Sequence, residues 1–346
     1  MPRTDTTTTT TDDPTISISE LVRLEDHVTA VSFCPNGMHV AAGSLSGQAV
    51  LLGGRRLHEA LPVHQLGVLA MAWSPDGATL ALGGQDGLVR LWDTSEGRTT
   101  AEIHVPGWAS SLAWSPGGDV LAVAAGRSVL LIDPDGVIRR RFDDHPATVT
   151  AIAWTSGGKR LAAASYGGLW WYGAESQQID KRFPWKGSVL SIALAPNGKW
   201  VATGNQDATV HCWKLWSGED LQMSGYAAKV EVLDWDRTSR YLAVGTIGEV
   251  NVWDFSGRGP QGSKPITLGG HERRITALGH QPGGSLLAAA GADGVLSLWR
   301  PAARRRLVER VVVGEELSCL GWHPKGHRLV IGTASGGVFL VKLSER

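Results

Sequence analysis

The sequence predicts an all-β fold: an eight-bladed β-propeller of four-stranded antiparallel blades, closed by an N-terminal strand that completes the last blade. Three observations predict it. One unit recurs eight times, anchored at Phe33, Trp73, Trp114, Trp154, Leu194, Trp235, His280 and Trp322, at steps of 40 to 45 residues. Periods of that length, with short strands and Gly-centred turns, mark radially repeated sheets. Composition agrees, because 44 glycines and only 19% charged residues suit many short strands better than long surface helices. The two ends of the chain then supply complementary pieces of one unit.

Each unit opens on an apolar strand that ends at the anchor, as in Met71-Ala72-Trp73. A tight turn follows. In Pro75-Asp76-Gly77, Pro35-Asn36-Gly37 and Pro196-Asn197-Gly198, proline sits where φ near −65° is wanted and glycine where φ turns positive. The second strand, Leu80-Ala81-Leu82, leads to a Gly-rich reversal, Gly83-Gly84-Gln85-Asp86-Gly87, and then to the third, Val89-Arg90-Leu91-Trp92-Asp93. In the fourth unit these strands read Val149 to Trp154, Arg160 to Ala164 and Gly168 to Tyr172. Alternation there is incomplete, and a strand apolar on both faces is one buried on both sides. A fourth segment, more charged and more variable, reads as an outer strand at Thr99 to Ile103, Val137 to Phe142 and Leu307 to Val312.

The last unit has three strands, Ser318 to Trp322, Arg328 to Thr333 and Val338 to Leu343. A β-like stretch, Thr15 to Leu24, precedes the first unit and is expected to supply the missing outer strand, which would remove open edges. Residues 1–14 read as a disordered Thr-rich tail and residues 15–346 as one domain. A seven-bladed reading would turn the unit at His280 into an insertion. Downstream, Ala288 to Gly294 and Leu298-Trp299 restore the pattern and favour eight.

The charge balance is zero, with 33 basic and 33 acidic side chains, which argues against nucleic acid or an anionic membrane as the partner. Cys34, Cys212 and Cys319 are widely spaced in apolar strands and read as small buried hydrophobes. No signal-like or membrane-spanning stretch is present, so a cytoplasmic location is expected. His323 and His327 flank a Pro324-Lys325-Gly326 turn and lack the helical placement of a metal pair. Gly43 to Gly47 lacks the Gly-Lys-Ser/Thr ending of a phosphate loop. No Gly-x-Ser-x-Gly elbow accompanies any His/Asp pair. The arginine runs at 139–141, 273–274 and 304–306 fall in different units and read as solvated edges.

The residue six positions before each anchor enters the innermost strand at one end of the ring. These are His27, Gly67, Trp108, Thr148, Ser188, Lys229, Arg274 and Glu316, with Trp185 and Tyr226 near the same rim. Trp108 falls at neither structural tryptophan position. Aromatic and arginine side chains at a ring entrance are typical of protein contacts. The candidate partner-binding face is therefore Trp108, Lys229, Arg274, Glu316, Trp185 and Tyr226.

The Trp92-Asp93 and Trp253-Asp254 pairs, with degenerate copies at Ile132-Asp133, Trp213-Lys214 and Trp299-Arg300, resemble the WD40-repeat family over roughly residues 15–343. The resemblance implies a non-catalytic scaffold for protein–protein interaction, without cofactor or metal. It also implies structural networks of His, Asp and Trp at His64, Asp86 and Trp92 and again at His271, Asp293 and Trp299. A monomer binding proteins or peptides is the expected state. The alternative is a small-ligand-binding or enzymatic propeller that uses the axial channel, which would need converging polar residues on the innermost strands.

Overall fold

The computed structural model describes residues 14–53, 58–61, 64–143, 145–175, 178–257 and 259–344, with His58 and Glu59 by backbone alone. The expected tail, residues 1–14, lies outside the described residues except for Pro14. Every regular element among the described residues is a strand, and every pairing is antiparallel with its neighbour.

The expectation of eight separate four-stranded blades closed into a ring is corrected. The strands hydrogen-bond into six sheets, four of them four-stranded, one six-stranded and one seven-stranded, and none closes on itself. Fusion has a definite cause. Strands Ile179–Leu194 and Ile266–His280 each run as one strand from the outer edge of one unit into the first strand of the next, bending at Gly187 (φ 128°) and Gly270 (φ 112°). Their midpoints pair with the preceding reversal, Tyr166 against Ser188 and Ile247 against Arg274, so two units share one ladder. Gly168, at φ +125°, permits the close approach, since a Cβ there would lie 2.0 Å from the Phe183 carbonyl oxygen.

The head and tail of the chain meet. Thr15–Arg23 pairs along Gly337–Ser344, from Thr15 opposite Ser344 to Arg23 opposite Gly337, with a bulge after Glu20. Val28–Phe33, the first strand of the first unit, packs against both Val68–Trp73 and Leu317–Trp322. The Ser318 hydroxyl donates to the Val28 carbonyl at 2.6 Å. Thr29 to Val68, Ser110 to Val149 and Thr150 to Val189 repeat that bond between other neighbouring units.

Burial follows the two-faced strands. Leu161 and Ala163 belong to one apolar cluster and Ala162 and Ala164 to another, so a single strand fills the core on both sides of its sheet. Their small side chains let neighbouring sheets approach, and all four are fully buried.

The tryptophan anchors tie one unit to the one before. Trp114, Trp154, Trp235 and Trp322 donate their indole N–H to the carbonyls of Ala72, Ala113, Ala193 and Gly279, at 2.8 to 3.2 Å. Trp73 donates to the Ser32 hydroxyl at 3.1 Å. In every case the acceptor residue immediately precedes the preceding unit's anchor. The turn after the anchor also repeats. Gly37, Gly77, Gly118, Gly158, Gly198 and Gly326 take positive φ four residues past their anchors. Gly283 does so one residue early, and Ser239 adopts φ 61° without being glycine.

Candidate functional site

The positions six before the anchors share one end of the strands, and six of the eight are fixed by backbone. The first N–H of the reversal between second and third strands donates to the carbonyl of that position in six units: Leu45 to His27, Gln85 to Gly67, Gly126 to Trp108, Gln206 to Ser188, Ala292 to Arg274 and Ala334 to Glu316. Side chains there project from a scaffold whose own hydrogen bonds are satisfied.

One arc of this rim is charged. Lys229 Nζ lies 2.8 Å from Glu231, and Arg274 sits between Glu231 at 3.8 Å and Glu316 at 3.7 Å. Arg273 completes the series, 3.1 Å from Glu316 and donating to the Ala292 carbonyl. Glu231, Arg274 and Glu316, with His27, Thr276 and Ser318, border a depression of about 290 Å³. Opposite charges alternate around it, so most of the arc's charge is neutralised locally, and the remainder is screened by its exposure.

The other arc is apolar. Trp108 is 59% exposed, Leu66 at the previous crossover 54%, and Leu45 on the adjoining reversal 39%. Leu45 packs against the backbone at Gly67, because a Cβ on that glycine would meet Leu45 Cδ2 at 3.1 Å. Thr148 and Ser188, on the following units, carry no charge.

Two of the aromatic rim candidates are turned inward. Tyr226 accepts the Trp253 indole N–H at 2.9 Å and packs in the cluster around Met223 and Trp235. Burial pushes its phenol pKa up, against the opposing pull of that bond. Trp185 lies against the His211 ring at 4.2 Å between centroids and joins the cluster around Trp171 and Phe183. Neither presents a free aromatic face as Trp108 does.

The His/Asp pairs form where the repeat places them. Asp86 Oδ1 and Arg90 Nη1 both come within 2.9 Å of His64 Nδ1. Asp293 lies 3.1 Å from His271 Nδ1 and also takes the Glu272 N–H. The tryptophans play a different part. Trp92 Nε1 is buried with no partner among the described protein atoms, and Trp299 packs edge-on against His271. Arg90, on the same strand as Trp92, supplies the third polar member instead, a role that strand spacing alone does not reveal. His145 finds Tyr172, whose hydroxyl lies 2.6 Å from Nε2. His211 finds Asp220 at 2.7 Å. Burial holds the His64 and His211 pKa values below the ordinary range, with their carboxylate partners pulling the other way.

His323 and His327 stack edge-on at 4.3 Å, and His323 Nδ1 is engaged by the Lys325 N–H. Among the described residues no group of three or more His, Cys, Asp or Glu is placed to hold a metal ion. No helix among them is long and apolar enough to cross a membrane. The three cysteines are unpaired, and burial pushes the Cys319 thiol up to about 12, away from reactive thiolate. The arginine run at 139–141 is answered locally by Asp133, Glu175 and Asp143.

Known proteins share this organisation. Cell division cycle 20.1, cofactor of APC complex, from Arabidopsis thaliana is 25% identical over 252 residues, 67% of this chain and 54% of that protein. Telomerase protein component 1 of Rattus norvegicus is 30% identical over 246 residues, 68% of this chain but 9% of its own length. Protein HIR1 of Cryptococcus neoformans is 24% identical over 339 residues, 80% of this chain and 38% of that one. The chain therefore spans about half, or less, of these relatives. The crystal structure of the computationally designed Ika8 protein superposes with a TM-score of 0.79 at 21% identity, over 93% of this chain and 99% of that one, a likeness of fold. The family described as WD domain, G-beta repeat, matches residues 18–51, 54–93, 136–170, 180–214 and 262–300. Those five segments hold more than half of the residues, and the chain belongs to the WD40 family.

Proposed function

We propose that this chain is a non-catalytic interaction scaffold whose contact face is the rim at the start of the first strands, with a protein or peptide as partner. One observation carries the reading. Trp108 stands 59% exposed on a backbone pinned by Gly126, beside the exposed Leu66 and Leu45. A large aromatic held in solvent on a rigid support is the kind of residue that dominates protein interfaces. The charged arc of Lys229, Glu231, Arg274 and Glu316 adds register, since a partner must match its alternating signs. Two relatives are named as a cofactor of a complex and as a protein component of telomerase, which supports a role inside assemblies by analogy of fold.

The depression bordered by Glu231, Arg274 and Glu316 favours a small ligand less. Its carboxylates and guanidinium already face one another, so no unpaired set of groups converges there. The test is capture from native lysate by wild type, Trp108→Ala and Arg274→Ala, with partners identified by mass spectrometry. Loss of the same partners in both variants, at unchanged unfolding midpoints, supports this face. Equal capture by all three proteins rules it out.

A further inference from the structure

The opposite end of the strands carries a second exposed tryptophan, and it is strained. Trp216 lies in the turn between the third and fourth strands of the fifth unit, at φ +67°. For so bulky a side chain that region is a true outlier, and such strain persists where the surroundings impose it. Turn length does not demand it, because the corresponding turn from Asp93 to Gly97 places only its glycine at positive φ. The strain instead sets the ring between two units. Trp216 packs edge-on against the buried Trp171 at 5.2 Å while 42% of it stays in solvent.

Cations surround that ring. The Arg160 guanidinium lies 4.4 Å from its centroid and Lys181 Nζ 5.7 Å. The Lys199 backbone is tied to the residue before Trp216 by the bond from the Leu215 N–H to its carbonyl, and Lys159 directly precedes Arg160. Lys214 is neutralised by Glu219 at 2.9 Å, and Asp180 answers Arg160 loosely at 3.6 Å. Lys159, Lys181 and Lys199 are exposed and have no ion-pair partner among the described residues. The chain as a whole is charge-balanced, so a local surplus here leaves the remainder net acidic.

We propose that this end is a separate docking surface for an acidic peptide segment, with Trp216 as the apolar anchor and Lys181 and Lys199 receiving its carboxylates. The surplus is short and is bounded by Asp180, Asp119 and Glu175, which border one depression with Lys159; that fits a few carboxylates on a peptide and not the continuous track a nucleic-acid backbone needs. The site is independent of the Trp108 rim: it lies among the turns at the other end of every sheet.

The experiment measures fluorescence anisotropy of a labelled oligoglutamate peptide titrated with the full chain, alongside a labelled single-stranded oligonucleotide. Binding of the peptide should weaken with salt. Lys181→Glu combined with Lys199→Glu should weaken it by about tenfold or more. Trp216→Gly, which accepts the same φ, should weaken it comparably, and Trp108→Ala should leave it unchanged. The two lysines are exposed, so the charge reversals decide the matter even if Trp216→Gly disturbs folding. Absence of peptide binding, indifference to the lysine reversals, or tighter binding of the oligonucleotide would each overturn the proposal.

Discussion

His280 Nδ1 lies 2.8 Å from Asp234 Oδ2, and the same oxygen accepts the His280 backbone N–H at 2.6 Å. Asp234 immediately precedes the anchor Trp235, which is the position where every tryptophan anchor finds its acceptor in the unit before. His280 thus does with an imidazole and a carboxylate what Trp322 does with an indole and the Gly279 carbonyl at 2.8 Å. The non-aromatic anchor is a substitution within one scheme, chemically paired with its neighbour.

That pairing predicts a rescue. Asp234→Ala strands two donors of His280 and should cost about 1–3 kcal/mol. Adding His280→Trp should recover most of the loss, because an indole there can donate to the residue 234 carbonyl as the other anchors do. Chemical denaturation of the single and double variants measures the coupling. A double variant no more stable than Asp234→Ala would show that the two anchor types are not interchangeable.

Ser239 predicts an ordering. Its φ of 61° stands where six units use glycine, and its hydroxyl accepts the Asn197 N–H at 2.9 Å from the neighbouring turn. Ser239→Ala loses the bond and keeps the strain, whereas Ser239→Gly loses the bond and relieves the strain. The glycine variant should be the more stable of the two by about 1 kcal/mol in urea melts.

The repeat was legible because its bonds depend on residue type at fixed spacing. The anchors, the Gly turns and the alanines that separate two core clusters all follow from side-chain pattern. Sheet boundaries were not, since Ile179–Leu194 and Ile266–His280 show no unusual composition. What fuses their sheets is backbone continuity through a crossover, which the pattern of apolar residues does not encode. The rim positions were legible as a set through their spacing six residues before each anchor, and the bond to six of their carbonyls is what holds that spacing in place. The direction of each aromatic was not: Tyr226 and Trp185 turn inward because Trp253 and His211 lie within reach across elements 26 or more residues away.

Glu315 predicts an acid-sensitive clasp between the head of the chain and the last unit. It takes Arg23 at 2.9 Å, together with hydroxyls of Ser335 and Thr333. Arg23 chiefly, then Ser335, hold its carboxyl down at about 2 against an ordinary 4.5. A carboxyl depressed on folding contributes stability in full above its unfolded value and loses it as pH falls toward the folded one. The Tm gap between wild type and Glu315→Gln should therefore be constant above about pH 5 and close between about pH 4.5 and 2. A gap independent of pH would show the clasp to be uncharged in effect. Truncation through Leu24 removes the clasp and its strand and should impair folding far more than truncation through Asp12.

The buried histidines predict a second, higher window. His64, His211 and His323 are all held below 6.5, chiefly by burial. Below that value the unfolded chain binds protons that the folded chain refuses, so stability falls as pH drops from about 6.5. His211→Gln should make the Tm decline between about pH 7 and 5 shallower than in wild type, since one refusing group is gone. An unchanged slope would mean that His211 takes its proton without leaving Asp220.

Tyr226 separates support from contact. Its hydroxyl is the acceptor for the Trp253 indole, so Tyr226→Phe leaves a donor unpaired in a packed cluster and should cost about 1–2 kcal/mol. Trp108→Ala removes a ring that is mostly in solvent and should change stability by less than about 0.5 kcal/mol. Partner capture should show the reverse order, falling with Trp108→Ala and persisting with Tyr226→Phe at temperatures where both are folded. Opposite rankings in the two assays would follow from one cause. Trp108 is held outward by a backbone bond, and Tyr226 is held inward by its side chain.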